Sequence, residues 1–411
     1  MARIAILSGL QLSTNPRVVK EADTLAAEGH DVEVIGVTLE RELESRDRQL
    51  FHGKPWKYTP LVDVGSRHVA DRLRYFAARA RKRVCSELYE RFGITTGGQL
   101  GVAAPAMLRY CLAHSADIYI AHNPQSLWVG AKLVEKGRRV AVDMEDWYSE
   151  DLLPEDRRGY PVDALRRWEG SVLRNAAYST TTSHRLADAL AQSYDCPVPA
   201  VVYNSFPLCE RDTIDGETRD RANPDIPSLC WFSQVIGRGR GLETLMDALT
   251  DVRVPFEIHL RGKYAEDYRQ SLRSRAPAAW RDRIHFHPQV SHEELISRLA
   301  EHDIGFAGEL PFCRSRELTI TNKILQYLLA GIAVIASDTP GQQEVAEMSD
   351  GAVITFAASK PDELANALNT FLRDPDHLRS ARARARLAAE QHFCWERSAP
   401  VLIESVRRAL T

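Results

Sequence analysis

Two stretches of this chain repeat one grammar: a short apolar strand, a polar loop, an amphipathic helix and a second apolar strand. In the first stretch, Arg3-Ile-Ala-Ile-Leu-Ser8 leads through a polar loop into a helix over about 16–28, Gly29-His30 closes that helix, and 31–37 is the next strand. A strand, a crossover helix and a strand in so short a span form a βαβ unit, whose strands lie parallel and whose sheet needs helices on its faces. Apolar strands recur at 118–121 and 140–144, and 175–183 and 200–203 hold the last strands of this half. The pattern restarts at 228–233. It continues with a helix at 242–249, strands at 256–260, 284–286 and 304–307, helices at 292–301 and 322–330, and strands at 332–336 and 352–356. The segment from about 362 is helical, and Phe393-Cys-Trp-Glu396 breaks it before a final amphipathic helix. Between the two halves, 205–228 carries Pro207, Gly216, Pro224 and Pro227 among polar residues, which predicts an interdomain linker. The expected division is a first domain at 1–205, a linker at 206–228, a second domain at 229–388 and a C-terminal helix at 389–411. Each α/β domain is expected to be Rossmann-like, binding its ligand at the carboxyl ends of its strands.

Composition excludes several classes. The 411 residues exceed one ordinary core, and 44% hydrophobic with 27% charged residues is a globular balance. A formal net charge of −3 gives no general attraction to nucleic acid. No apolar run reaches the roughly 20 residues that span a bilayer, and the N-terminal apolar patch is too short for a signal peptide. The seven cysteines are odd in number, scattered and without Cys-x-x-Cys, which predicts free thiols in a reducing cytoplasm.

The loop after the first strand, Ser8-Gly-Leu-Gln-Leu-Ser-Thr-Asn15-Pro16-Arg17, lacks the G-x-G-x-x-G of dinucleotide binders. Asn15 and Pro16 suit the N-cap and first position of a helix. Arg17 and Lys20 there are either solvated or face an anion. In the second half, Gly237-Arg238-Gly239-Arg240-Gly241 lies between a strand and a helix. Glycines admit a polyanion to the backbone, and arginine forks match phosphate oxygens. Thr319-Ile-Thr321-Asn322-Lys323 opens a helix that ends at Gly331, a second place where a helix N-terminus and a cation meet. The loop after the following strand, with Pro340-Gly341, is expected to turn there. In the first half His122 stands just past a strand, where a histidine is often only structural. Asp143 and Glu145 begin a run of five carboxylates with Trp147 and Tyr148, a mixture that suits sugar hydroxyls or an acidic helix start. His285 and His287 alternate along a strand and share a face, but no third ligand completes a metal pattern with them or with His292, so no metal site is assigned. The basic segment 67–91, with Leu73, Phe76, Val84 and Leu88 at helical spacing, is either a solvated face or a contact for anionic lipid.

Together these blocks resemble the retaining GT-B glycosyltransferases of the family 4 type, the group 1 glycosyl transferases, over nearly the whole chain. The resemblance rests on Asn15-Pro-Arg-Val-Val-Lys through Gly29-His30, on His122, Asn204 and Gly237–Gly241, on Ala330-Gly-x-x-Val-Ile-Ala-Ser-Asp338, and on the Trp395 region. It implies two Rossmann-like domains facing across a cleft, with a C-terminal helix crossing back. It further implies transfer of a sugar from a nucleotide-diphosphate sugar to an acceptor with retention, needing no cofactor and no essential metal. The residues it points to for catalysis are His122, Glu317, Arg240 and Lys323. For the donor they are Arg238, Gly239, Thr321, Asn322, Gln326, Gly262 and Glu309, and near the acceptor Asn15, Arg17, Asp143 and Glu145. The chain departs from the family's glutamate pair. Counting back from Gly331 puts Gln326 and Leu318 at those places, while Glu309 and Glu317 keep the spacing in another register. Gln234 stands where the clamp's first arginine is usual. A same-fold epimerase or phosphorylase, or a non-catalytic partner subunit, are the alternative readings.

Overall fold

The computed structural model describes residues 1–65, 68–153 and 155–411. The chain forms two compact units, Met1–Val202 with Ala399–Thr411, and Tyr203–Ser398. The first holds a seven-stranded sheet of β1 (Arg3–Ser8), β2 (Asp31–Thr38), β3 (Lys57–Asp63), β4 (Ile118–His122), β5 (Val140–Met144), β6 (Ser179–Thr181) and β7 (Ala200–Val201). Their order is β3-β2-β1-β4-β5-β6-β7, and every pairing is parallel. The second unit holds β8 (Ser228–Ile236), β9 (Glu257–Tyr264), β10 (Ile284–His287), β11 (Ile304–Ala307), β12 (Ala333–Ser337) and β13 (Val353–Phe356). Their order is β10-β9-β8-β11-β12-β13, again all parallel. Both units are therefore Rossmann-like, the order reversing between β1 and β4 in the first and between β8 and β11 in the second, and the architecture is GT-B.

The apolar runs become central strands because both faces of these sheets are covered: every residue of β4, β5, β11 and β12 is buried. Trp231, Phe256, Phe306 and Phe371 anchor the second core. Strand β3 and the helix Glu44–Phe51 were not expected. Lys-Tyr-Thr-Pro-Leu-Val-Asp lacks a clean apolar period, and Pro60 is tolerated because β3 lies at the sheet edge.

The predicted linker is not a free tether. Asp215 accepts from Ser297 (2.7 Å) and Arg298 (2.7 Å), and buried Arg221 donates to the carbonyls of Glu301 and Ile226 (both 2.6 Å), so polar bonds hold the segment against the second unit. Pro340-Gly341 is not a turn but the start of the helix Pro340–Glu347, since proline's missing N–H costs nothing at a first helical position. The helix Val69–Phe92 docks through Ala78 and Tyr75 beside Val37 and Val62, so Leu73, Phe76 and Val84 point outward rather than forming the buried stripe. Arg67 of the basic segment lies outside the described residues. The helix Trp395–Leu410 spans the division between the units, residues from Ala399 counting with the first.

Candidate active site

In the second unit the loops that leave β8 and β11 diverge at the strand-order reversal, where α/β sheets bind ligands. They touch at Gly241, whose φ is +74° and whose place for a Cβ lies 2.0 Å from the Gly308 carbonyl oxygen, so only glycine fits. Gly239 is also left-handed, at +73°. This geometry sets Arg240, exposed, close enough to act electrostatically on Glu309 of the β11 loop.

Glu309 is the hub. Lys323 Nζ donates to its Oε1 at 2.5 Å, Thr321 Oγ1 donates to the same oxygen at 3.4 Å, and Ser337 Oγ donates to its main-chain carbonyl at 2.6 Å. Burial pushes the Glu309 carboxyl up, but Lys323, then Arg240 and Arg316, outweigh it and hold the group below its ordinary range. Lys323 is buried on the first turn of the helix Asn322–Ala330, its ammonium 5.7 Å from the Trp231 ring centroid. The N-cap of that helix, Thr321, turns its hydroxyl to Glu309 and caps nothing, and Asn322 Oδ1 accepts from Asn204 Nδ2 at 3.1 Å. The helix therefore opens with amides that no side chain covers, beside three cations that face one carboxylate. Gln326, on the same helix, is buried and makes no hydrogen bond to a described residue.

Not all predicted donor residues gather here. Arg238 turns away and stacks on Tyr268, 5.5 Å from the ring centroid. Gly262 is a packing glycine, since a Cβ would sit 2.5 Å from the Ser233 carbonyl oxygen. Gln234 is exposed, and its carbonyl accepts from Gln289. Glu317 is half-buried on the short helix Arg314–Leu318 and has no side-chain bond to a described residue, so Glu309 is the carboxylate engaged by the cations. Arg316 was missed, being a surface arginine whose relevance depends on how its short helix folds back.

At the first unit's reversal the chemistry differs. Asn15 caps the helix Pro16–Ala27 by accepting from Val18 N at 3.4 Å. Arg17, however, is neither solvated nor free to meet a ligand's phosphate, since its guanidinium is taken up by a carboxylate of the same unit. It is 1% exposed and grips Asp143 through Nε (2.5 Å) and Nη2 (3.1 Å), with Nη1 donating to the Val202 carbonyl. His122 is fully buried, Nε2 2.5 Å from Glu21 and Nδ1 3.0 Å from Glu145, which also accepts from Asn15 Nδ2 at 3.1 Å. Burial lowers the imidazole, but Glu21, Glu145 and Asp143 outweigh it and raise the group to about 10. It is held as imidazolium. Burial likewise pushes Asp143 up, and Arg17 and His122 more than reverse this.

Both ring nitrogens of His122 face carboxylates, Glu21 and Glu145. Its Nδ1 contact holds Glu145, whose side chain keeps 19% exposure. Further along the acidic run Glu150 pairs with Arg157 and Arg166, and Trp147 Nε1 donates to the Tyr194 hydroxyl. Asn123, missed in sequence, takes φ +61° after His122, its side-chain Oδ1 accepting from Gly9 N at 2.9 Å and its main-chain N–H donating to the Tyr148 hydroxyl. Glu21 was also missed, although it follows Arg17 by four residues and so shares its helix face.

With both sites described, comparison with known proteins is informative. Residues 14–205 match the family model described as glycosyl transferase 4-like domain, and residues 227–374 match that of glycosyl transferases group 1. Among curated proteins no sequence matches significantly. Among solved structures, Anabaena HepE in complex with UDP-glucose superposes with a TM-score of 0.69 at 17% identity, over 99% of this chain and 100% of that one. Sucrose-phosphate synthase from Thermosynechococcus elongatus gives 0.70 at 16%, over 99% and 98%. A glycosyltransferase from Rickettsia africae gives 0.65 at 12%, over 100% and 98%. These identities speak for the fold, and the two family models, which follow one another along the chain, speak for the class: the protein is a two-domain glycosyltransferase of the group 1 type.

Proposed function

We propose that this glycosyltransferase takes its sugar from a nucleotide-diphosphate sugar and passes it to a hydroxyl acceptor with retention of anomeric configuration. The observation that carries the reading is the Glu309–Lys323 pair, with Arg240 and Arg316 around it, at the uncapped start of Asn322–Ala330. A departing diphosphate concentrates negative charge on oxygens that Arg240, Lys323 and the helix amides would meet in a pre-arranged geometry. These cations supply the charge neutralisation that the reading otherwise asks of a metal, and it calls for no cofactor. Glu309 keeps the Lys323 ammonium aimed until the diphosphate arrives, and Glu309, Glu317 and Gln326 are the groups proposed for sugar and ribose hydroxyls. HepE was crystallised with UDP-glucose, which makes uridine nucleotides the first donors to try.

A thermal-shift series with UDP, GDP, ADP and dTDP identifies the base. Loss of turnover in Arg240→Ala and Lys323→Ala with the fold intact is expected, and near-normal rates in both would sink the assignment. An NMR record of the product anomer that shows inversion would remove the retaining step alone.

No helix among the described residues is long and apolar enough to cross a membrane. The helix Val69–Phe92 nevertheless exposes Leu73, Phe76 and Val84 among Arg72, Arg79, Lys82 and Arg83. This pattern supports peripheral contact with an anionic cytoplasmic membrane face. Sedimentation with vesicles containing phosphatidylglycerol, lost in Leu73→Ser/Phe76→Ser and absent with phosphatidylcholine alone, is the expected result.

A further inference from the structure

One face of the second sheet is polar where its position predicts a core. Glu257, His259 and Arg261 alternate along β9, and the register sets His285 beside His259 and His287 beside Arg261 on β10. The His259 ring stacks 4.8 Å from His285 and 5.2 Å from His287, with His302 at 4.6 Å. Glu257 and His285 stand at the amino-terminal ends of their strands, opposite the carboxyl ends where the cations gather, and sugar transfer uses none of them.

A chain of polar contacts runs through this cluster, and two neutral imidazoles are one proton short of filling all of it. His259 Nε2 lies 3.3 Å from Glu257 Oε2, His259 Nδ1 lies 3.0 Å from His287 Nε2, and His287 Nδ1 lies 3.4 Å from Asp220 Oδ1. Each of these three contacts needs a proton between two lone pairs, whereas two neutral imidazoles carry only two. If His287 donates to Asp220 and His259 donates to His287, the Nε2 lone pair of His259 is left facing a carboxylate. At the same point His285 Nε2, a buried atom without a hydrogen-bond partner, lies 3.8 Å from Glu257 Oε1. Two imidazole nitrogens and a carboxylate converge here, with one ligand atom from each residue all within 4.8 Å of one another. The nearby arginines do not fill the gap. Arg261 is spent on Asp220 and the Pro288 carbonyl, and Arg221 on Asp303 and main-chain carbonyls.

We propose that Glu257, His259 and His285 bind a divalent transition-metal ion, zinc by the nature of its ligands, and that His287 and Asp220 orient His259 toward it. Zinc takes imidazole nitrogen and carboxylate oxygen at about 2.0–2.2 Å, so ligand atoms in a tetrahedron stand roughly 3.3–3.5 Å apart, within a small side-chain adjustment of the distances here. The His259–His287–Asp220 chain is the outer support that metal-bound histidines use, one ring nitrogen on the ion and the other donating toward a carboxylate. The His285 ring is 36% exposed while its Nε2 is buried and faces Glu257, so the ring lies at the edge of the cluster with its unpartnered nitrogen turned inward. Because the ligands join β9 to β10, an edge strand paired on one side only, the ion would act as a clip for that edge. The two histidines of β10 read in sequence as an incomplete pattern because the missing ligands stand on a neighbouring strand, aligned by register. His292 is not among them, its Nε2 lying 3.5 Å from Glu210.

The test uses the full chain, stripped with chelator, desalted and titrated with Zn²⁺ by calorimetry. About one ion per chain is expected, abolished in His285→Ala and Glu257→Gln, unchanged in His292→Ala, and weakened about 10–100-fold in His287→Asn, which removes no ligand. Cobalt replacement in the unaltered chain should give visible d–d absorption without a thiolate charge-transfer band, and it stays decisive if a ligand variant misfolds. No binding by the unaltered chain, undiminished binding in folded His285→Ala and Glu257→Gln, or a thiolate band would each overturn the proposal.

Discussion

The two domains share a strand order, and their crevices are built to opposite plans. At the first reversal Arg17 and His122⁺ face Glu21, Asp143 and Glu145, nearly all of it buried, so most of the charge is paired internally with one carboxylate in excess. At the second, Lys323, Arg240 and Arg316 surround a single Glu309, the glycine loop is exposed, and a helix start is left uncapped. One topology thus carries mostly paired, buried charge in one domain and, in the other, cations around a single carboxylate, the place where we propose a diphosphate is received. The difference lies in the side chains carried by the strand ends, the first turns of the helices and the loops between them, where function is grafted onto a common fold.

The contrast can be broken most severely at Arg17. Arg17→Met leaves Asp143 buried beside Glu21 and Glu145, and a stability loss of about 3–5 kcal/mol is expected in denaturant unfolding. The pH dependence sharpens the same point. In the folded protein His122 is raised to about 10, against an ordinary value of about 6.5. Its stabilisation is therefore complete below pH 6.5, declines as the unfolded chain sheds the proton, and is gone above pH 10. Unfolding measured across that window should show this falling slope in the wild type and a flatter one in His122→Gln; equal slopes would contradict the imidazolium assignment. At the second crevice, Lys323→Ala and Arg240→Ala should each lower turnover about 10²–10³-fold; exposed Arg240→Ala should change unfolding little, whereas Lys323→Ala, which leaves the largely buried Glu309 without its partner, should also cost stability. Arg275 gives the lower bound. Its pair with Asp247 is close (2.6 Å) but half-exposed, and Arg275→Met should cost at most about 1 kcal/mol.

The fold was largely legible because it is written in short-range patterns. The strands at 3–8, 140–144 and 304–307 and the helix at 322–330 each carry their own periodicity and caps. Strand β3 was not legible, since an edge strand with a proline has no apolar run to announce it. The second crevice was half legible: glycines and a basic helix start are local signals, and Arg240, Thr321, Asn322 and Lys323 were found by them. Arg238 carried the same signal and turned to Tyr268.

Sequence by itself therefore determined the two parallel sheets, the crossover helices and the loops rich in glycine and cation. Tertiary structure alone decided which charges meet. Arg17 and Asp143 stand 126 residues apart, and only the β1-β4-β5 order brings them together. His259 meets His285 because β9 and β10 align in that register and no other. Periodicity is a property of neighbours along the chain, whereas charge pairing and ligand convergence are properties of neighbours across the sheet.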